Sequence, residues 1–321
     1  MLRLDLGPDE LAATRFACSA LQETVASLRV LDDPAGHTMH LPWYRDAAGR
    51  AAQLELGLLR ALVPANGYAP DFISPPPGSP LPDLDADLAR VAATPPDRVR
   101  VEIAELFGSN PPPVVAGLLD DPAEGLQTIV AQLRRWFDAA LVEHWPRIRA
   151  LLQADISYRA RCLSAGGARA LFSELHPSVR WHKGGRLDLG IAYEAPAALD
   201  ERGLLLVPSV FAWPSIYVVS DPPWQPTLIY TARGTATALE PTREPPPDAL
   251  RRLIGPTRAA ILNALDAPQT CGDLARTVEV TPSAVSQHIA ILRDAGLIAT
   301  HRDGRYLIAQ RTELGDGFCQ S

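Results

Sequence analysis

Lysine is almost absent from this chain. Lys183 is the only one, and arginine supplies every other basic side chain. With abundant alanine and proline this follows a GC-rich coding bias and bears little on function. Cysteine is nearly as scarce: Cys18, Cys162, Cys271 and Cys319 share no spacing, which excludes a disulfide framework or a Cys-rich zinc site and points to reduced thiols. No apolar run reaches the ~18 residues of a membrane span, and the opening MLRLDLGPDE lacks the basic-then-apolar order of a signal peptide. The expected location is therefore cytoplasmic, with no membrane partner. A Walker loop, GxGxxG, GxSxG and internal repeats are all missing, so no cofactor is expected.

What is present suits two soluble domains. The 321 residues are 47% hydrophobic and 21% charged. Proline divides them: of 31 prolines only three lie beyond Pro247, and Glu240 to Pro247 reads EPTREPPP. The expected fold class is α+β. Residues 1–243 form an N-terminal sensor and dimerisation domain, helical over 1–175 and strand-rich over 176–239 with a small, mostly antiparallel sheet. Residues 248–310 form a C-terminal winged helix-turn-helix.

Apolar periodicity predicts helices over Asp9–Leu31, Ala51–Leu62, Asp85–Ala93, Asp97–Phe107, Pro122–His144 and Trp145–Leu163. Pro64 to Pro82 carries seven prolines, too many for regular structure, but Tyr68, Phe72 and Ile73 imply that it packs on a surface. Arg147, Arg149, Arg159 and Arg161 read as a solvated charged face in preference to an anion site. Ser164 to Gly167 fits either a helix entry near an anion or small residues at a turn. Short strands are predicted at Val179–His182, Arg186–Tyr193, Gly203–Phe211, Ile216–Ser220 and Thr227–Thr231.

Eight of the twenty aromatics fall between Phe172 and Tyr230. Trp181, His182, Tyr193, Trp213 and Tyr217 are the candidate ligand-binding residues there, with Asp188 or Glu194 as further polar groups. Aromatic packing in a sheet core is the equal alternative. His37 and His40 have HxxH spacing without a third ligand nearby, so no metal site is assigned. His176, His182, Asp188 and Cys162 are the residues available for acid-base or nucleophilic work, and no spacing binds them into an active site.

The densest pattern lies at Thr270–Tyr306. Thr270 is placed to cap a helix with Leu274 and Val278 inside and Ala275 small enough for a close crossing. Thr281-Pro282 signals a second helix start, Val285, Ile289 and Leu292 form its apolar stripe, and Gly296 ends it. Thr281, Ser283, Ala284, Ser286, Gln287 and His288 then lie off that stripe near the helix N-terminus, where a recognition helix meets base edges. Asp303-Gly304 predicts a hairpin wing with Arg302 facing Arg305 across the strands. Thr300, His301 and Tyr306 stand beside that tip, and Arg293 adds a cation to the same face. The expected partner is double-stranded DNA. The charge balance argues for modest, salt-sensitive affinity: residues 248–321 hold eight arginines and eight acidic residues, leaving 22 basic against 29 acidic residues to the segment before them.

Gly255-Pro256-Thr257-Arg258, SAVSQHIAILRDAGLI and HRDGRY together resemble the ArsR family of bacterial winged-helix regulators. GYAPDFISPPP from Gly67 and GLLLVPSVFAWP from Gly203 resemble the long domain that precedes such a module in some actinobacterial regulators. The resemblance implies a homodimer, acting as a repressor, with an unidentified small molecule or partner as effector. A hinge change at 240–250 would then alter the spacing of two recognition helices. It also implies a dimerising helix on each side of the module. Asp248–Leu265 can supply the first, whereas Arg311–Ser321 is short and contains glycine, which leaves the upstream domain to contribute to the interface. Metal-sensing members carry a cysteine pair in the supporting helix, and here only Cys271 stands there. The rival readings are a winged helix used for protein contact and an enzyme built on the upstream domain.

Overall fold

The computed structural model describes residues 1–191, 199, 202–239, 247–265, 269–303 and 306–320. The chain divides into two compact units, Met1–Glu240 and Pro241–Ser321. Residues 240–246 of the proline-rich boundary, Tyr193, Glu194, Gly304 and Arg305 lie outside the described residues.

The first unit runs β1 (Leu2–Asp5), α1 (Pro8–Ala12), β2 (Arg15–Phe16), α2 (Ala20–Asp32), α3 (Leu41–Ala51), α4 (Gly57–Leu62), α5 (Leu84–Ala92), α6 (Pro96–Phe107), α7 (Pro113–Asp120), α8 (Pro122–Ala140), α9 (Trp145–Ser173), β3 (Val179–Trp181), β4 (Arg186–Leu189), β5 (Leu205–Ser209), β6 (Tyr217–Val219), β7 (Thr227–Thr231) and α10 (Thr235–Ala238). Local signals start several of these helices. Asp121 Oδ1 accepts the amides of Ala123 and Glu124 at 3.1 and 3.0 Å with Pro122 at the first helical position, and Asp83 caps α5 through Ala86. α8 then buries Leu126, Ile129, Leu133, Trp136 and Phe137 in the main core.

The helix predicted over Asp9–Leu31 is interrupted. Arg15 and Phe16 pair in parallel with Leu205 and Leu206, and α2 begins only after Ser19, whose Oγ accepts the Gln22 amide at 3.1 Å. Every residue of α2 from Ala20 to Val30 is buried, so this helix has no polar face. Its polar side chains find partners inside: Arg29 Nη1 donates to the Pro64 carbonyl at 2.6 Å, and Ser27 Oγ accepts the Trp136 indole N–H at 2.9 Å. Leu41–Ala51, for which the sequence predicts no element, is a helix. The helix predicted from Ala51 starts at Gly57. The proline-rich stretch packs as expected, with Phe72 and Ile73 fully buried.

The strands predicted for one sheet separate into two. β1–β4–β3 is antiparallel and faces Leu2, Leu4, Leu187 and Leu189 inward. β2–β5–β7–β6 is mixed: β5 pairs in parallel with β2 and β7, and β6 closes an antiparallel edge. β5 is buried at every position, as a strand covered on both faces must be, and such a run gives no alternation to read. α9 continues to Ser173, with a break at Gly167 (φ 64°), so Ser164–Gly167 lies within its span.

The second unit runs α11 (Pro247–Ile254), α12 (Pro256–Ala264), β8 (Gln269–Thr270), α13 (Cys271–Thr277), α14 (Pro282–Asp294), β9 (Ile298–Asp303), β10 (Tyr306–Arg311) and α15 (Glu313–Gln320). The β8–β10–β9 sheet and the helices enclose Ile261, Leu262, Leu274, Val285, Ile289, Leu292 and Ala309. The segment after the wing is helical despite its glycines. A Cβ on Gly315 would sit 2.0 Å from the Leu297 carbonyl oxygen, so the missing side chain is what lets α15 lie against the base of the wing.

Candidate nucleic-acid interface

The supporting helix α13 is started by a reciprocal cap. Thr270 Oγ1 accepts the Asp273 amide at 3.2 Å and donates to Asp273 Oδ2 at 2.7 Å; that bond, with Arg276 alongside, holds the Asp273 carboxyl below its usual range. The connection to the second helix passes through Glu279 in a left-handed conformation (φ 54°), which lets the Val280 amide donate to the Ala275 carbonyl at 3.1 Å. Leu274 and Ala275 are both buried where α13 meets α14.

Thr281 caps α14, accepting the Ala284 amide at 3.3 Å, and Pro282 occupies its first turn. Val285, Ile289 and Leu292 are buried as one stripe. Ser283, Ser286 and Gln287 are exposed on the opposite side, Ala284 is half-buried, and so is His288, whose Nδ1 is enclosed without a hydrogen-bond partner. The local bonding restricts what each can do. Thr281 Oγ1 is engaged in the cap and lies 3.1 Å from Ser283 Oγ. Ser286 Oγ donates to the Pro282 carbonyl at 3.0 Å, so toward a ligand it offers acceptor lone pairs. Among the described residues Gln287 makes no side-chain hydrogen bond, which leaves its amide for outside partners. Ile291, one turn beyond Gln287, is 50% exposed. It stands outside the apolar stripe, which was the signal for it in the sequence, and an apolar side chain there can contact a thymine methyl.

Gly296 ends α14 at φ 74°, and the Leu297 amide donates to the Leu292 carbonyl at 2.9 Å, turning the chain into β9. The wing has a different register from that expected. Tyr306 pairs with Asp303 and Leu307 with Arg302, so the residue facing Arg302 is Leu307 and not Arg305, which lies with Gly304 outside the described residues.

The arginines differ in availability. Arg293 donates through Nε and Nη2 to the single oxygen Oδ1 of its neighbour Asp294 (3.1 and 2.9 Å), Arg276 pairs with Asp273, and Arg311 pairs with Asp316 at 2.8 Å. Arg302 is exposed and makes no ion pair among the described residues. The neutral charge of this unit thus conceals an uneven distribution, with acidic partners spent on Arg276, Arg293 and Arg311 and, among the described residues, none on Arg302.

In the first unit the described candidate ligand residues each have separate partners. Trp181 stacks on Phe172 (5.3 Å, 13°) in the core under the antiparallel sheet, and His182 Nε2 lies 2.8 Å from Asp188. Trp213 lies 6.1 Å from His40, and Tyr217 sits under the Arg29 guanidinium at 4.6 Å on the mixed sheet. His176 bonds the Pro214 carbonyl, and Cys162 lies on α9. Among the described residues no group of three or more His, Cys, Asp or Glu is placed to hold a metal, and no helix is long and apolar enough to cross a membrane.

Two family models match, each within one unit. Residues 253–301 match a helix-turn-helix domain, and residues 92–236 match a family of unknown function (DUF5937). No curated protein and no solved structure matches the chain. The second unit therefore carries a helix-turn-helix domain, an architecture that binds DNA.

Proposed function

We propose that the protein is a DNA-binding transcription regulator of ArsR type, a homodimeric repressor whose first unit responds to a small molecule. One observation carries this reading: α14 buries Val285, Ile289 and Leu292 while Ser283, Ser286 and Gln287 stay exposed beside its capped N-terminus. Gln287 reads adenine, Ser286 accepts from a base amino group, and Ile291 packs on a thymine methyl. Arg302 and Arg305 hold phosphate. Thr281 and Ser283 sit where the first phosphate meets the helix, while His288 and Ala284 shape the edge between core and groove. Arg293 contributes little as long as Asp294 neutralises it.

Dimerisation has its own support. Leu253 on α11 and Leu314 on α15 are 68% and 53% exposed, which is unusual for leucines on helices flanking a small domain. Two such modules would place their recognition helices about 34 Å apart for successive half-sites. The reading is that of a non-catalytic regulator.

Selection of random duplex DNA by the full-length protein, at low and moderate salt, tests the proposal. Enrichment of a palindromic motif is the expected result. A folded, dimeric protein that enriches no motif would reject it and favour the winged helix as a protein-contact module.

A further inference from the structure

The first unit, which carries the chain's whole negative excess, concentrates arginine at one point on α9. The guanidinium carbons of Arg233, Arg159 and Arg161 lie 3.6, 5.4 and 6.0 Å from the centre of the Tyr158 ring. Two carboxylates stand near them. Glu174 is occupied by the Tyr158 hydroxyl at 2.8 Å. Asp155 accepts the Tyr230 hydroxyl at 2.8 Å and the Arg233 amide at 3.1 Å, leaving Arg159 Nε 3.6 Å from Oδ1 and outside hydrogen-bond geometry. Arg161 and Arg233 are exposed and make no ion pair among the described residues.

Arg159 is the unusual member. It is only 1% exposed, not part of a solvated face, and its Nη2 donates to the Glu174 carbonyl at 3.2 Å. Its Nε and Nη1 have no hydrogen-bond partner. A buried guanidinium with unused donors is costly, and the group that would satisfy a planar fork of N–H bonds is an oxyanion. Arginines stacked on an aromatic face keep their N–H edges available for the same purpose.

Topology supplies a second argument. β2, β5 and β7 run parallel, and Arg233 follows the carboxyl end of β7 directly, where the Ala232 amide is tied to the Ser209 carbonyl at the end of β5. Ligands of open α/β sheets bind outside the carboxyl ends of their parallel strands. A DNA backbone cannot reach a guanidinium as enclosed as Arg159.

We propose that α9 and the carboxyl end of β7 form a site for a small oxyanion ligand, a carboxylate or a phosphate monoester, held by Arg233, Arg161 and the buried Arg159. Binding stands on the first unit alone; that it changes DNA affinity rests on the regulator reading above.

The test titrates full-length protein, without DNA, with benzoate, phenyl phosphate and the uncharged benzamide at constant ionic strength, following melting temperature and calorimetric binding. Benzoate or phenyl phosphate should bind saturably, benzamide should not, and the stronger of the two anions identifies the head group. The double variant Arg161→Gln/Arg233→Gln changes only exposed side chains and should weaken binding at least tenfold. No saturable response to either anion, or equal binding by the double variant, would overturn the site. Saturable binding that leaves the affinity for a selected duplex unchanged would keep the site and reject ligand-controlled DNA binding.

Discussion

Glu23 and His40 hold the same residue from two sides. The Glu23 carboxyl accepts the Val210 amide at 2.9 Å and the Phe211 amide at 3.2 Å, while His40 Nε2 lies 2.9 Å from the Val210 carbonyl and its ring stacks on Phe211 at 5.1 Å. Both are fully enclosed, and burial moves them in opposite directions. Glu23 is pushed up to about 7, against the lowering effect of its amide hydrogen bonds, and His40 is pushed down to about 4.

The signs set the pH response. Glu23 has a raised folded value, so its contribution to stability is complete below about 4.5 and disappears as pH rises through about 7. His40 has a depressed one, so its contribution is complete above about 6.5 and is lost as pH falls toward about 4. Across pH 5–7 the two oppose each other. Denaturant melts of Glu23→Gln should show stability falling on acidification from pH 7 to 5, and His40→Asn should show it rising. A flat profile in both variants would contradict the assignment. Glu23→Ala, which strips two buried amides of their acceptor, should cost about 3 kcal/mol.

Gln287→Ala and Arg302→Ala should separate base reading from phosphate holding. The first should relax preference at one base position and cost about 1–3 kcal/mol on the best site, with little loss elsewhere. The second should weaken all duplexes alike and reduce the salt slope by about one. Binding to matched and scrambled duplexes over a salt series distinguishes them. Equal losses on every sequence for Gln287→Ala would remove its reading role.

Glu102 is a buried hub of the first unit, accepting the Phe72 amide at 2.8 Å, the Trp224 indole N–H at 2.9 Å and Arg98 Nε at 2.5 Å. Glu102→Ala leaves Arg98 and two neutral donors without an acceptor and should destabilise the unit by about 3–5 kcal/mol. Urea unfolding followed by tryptophan fluorescence measures it, and a loss under 1 kcal/mol would show that the hub rearranges.

Gly315→Ala should lift α15 from the base of the wing, because its Cβ would overlap the Leu297 carbonyl. A cost of about 1–3 kcal/mol is expected in the second unit. Sedimentation of the same variant asks whether α15 takes part in dimerisation: a shift toward monomer is expected if Leu314 lies in the interface, and an unchanged dimer would place the interface elsewhere.

The sequence determined the winged unit largely by itself, because its signals are local. Thr270 and Thr281 cap helices a few atoms away, Val285, Ile289 and Leu292 fall on one helical stripe, and Gly296 ends the helix through its own φ. The wing register and the helix after the wing departed, since both depend on packing across β9 and β10 and not on a local signal. The first unit was legible as helices followed by strands but not in its connections. That Phe16 leaves a helix to join Leu206, that the strands form two sheets, and that Arg159, Glu23 and all of α2 are buried depended on partners up to 190 residues distant. A polar residue carries the same local pattern whether water or a distant carbonyl satisfies it. Tertiary structure decided which of the two it met.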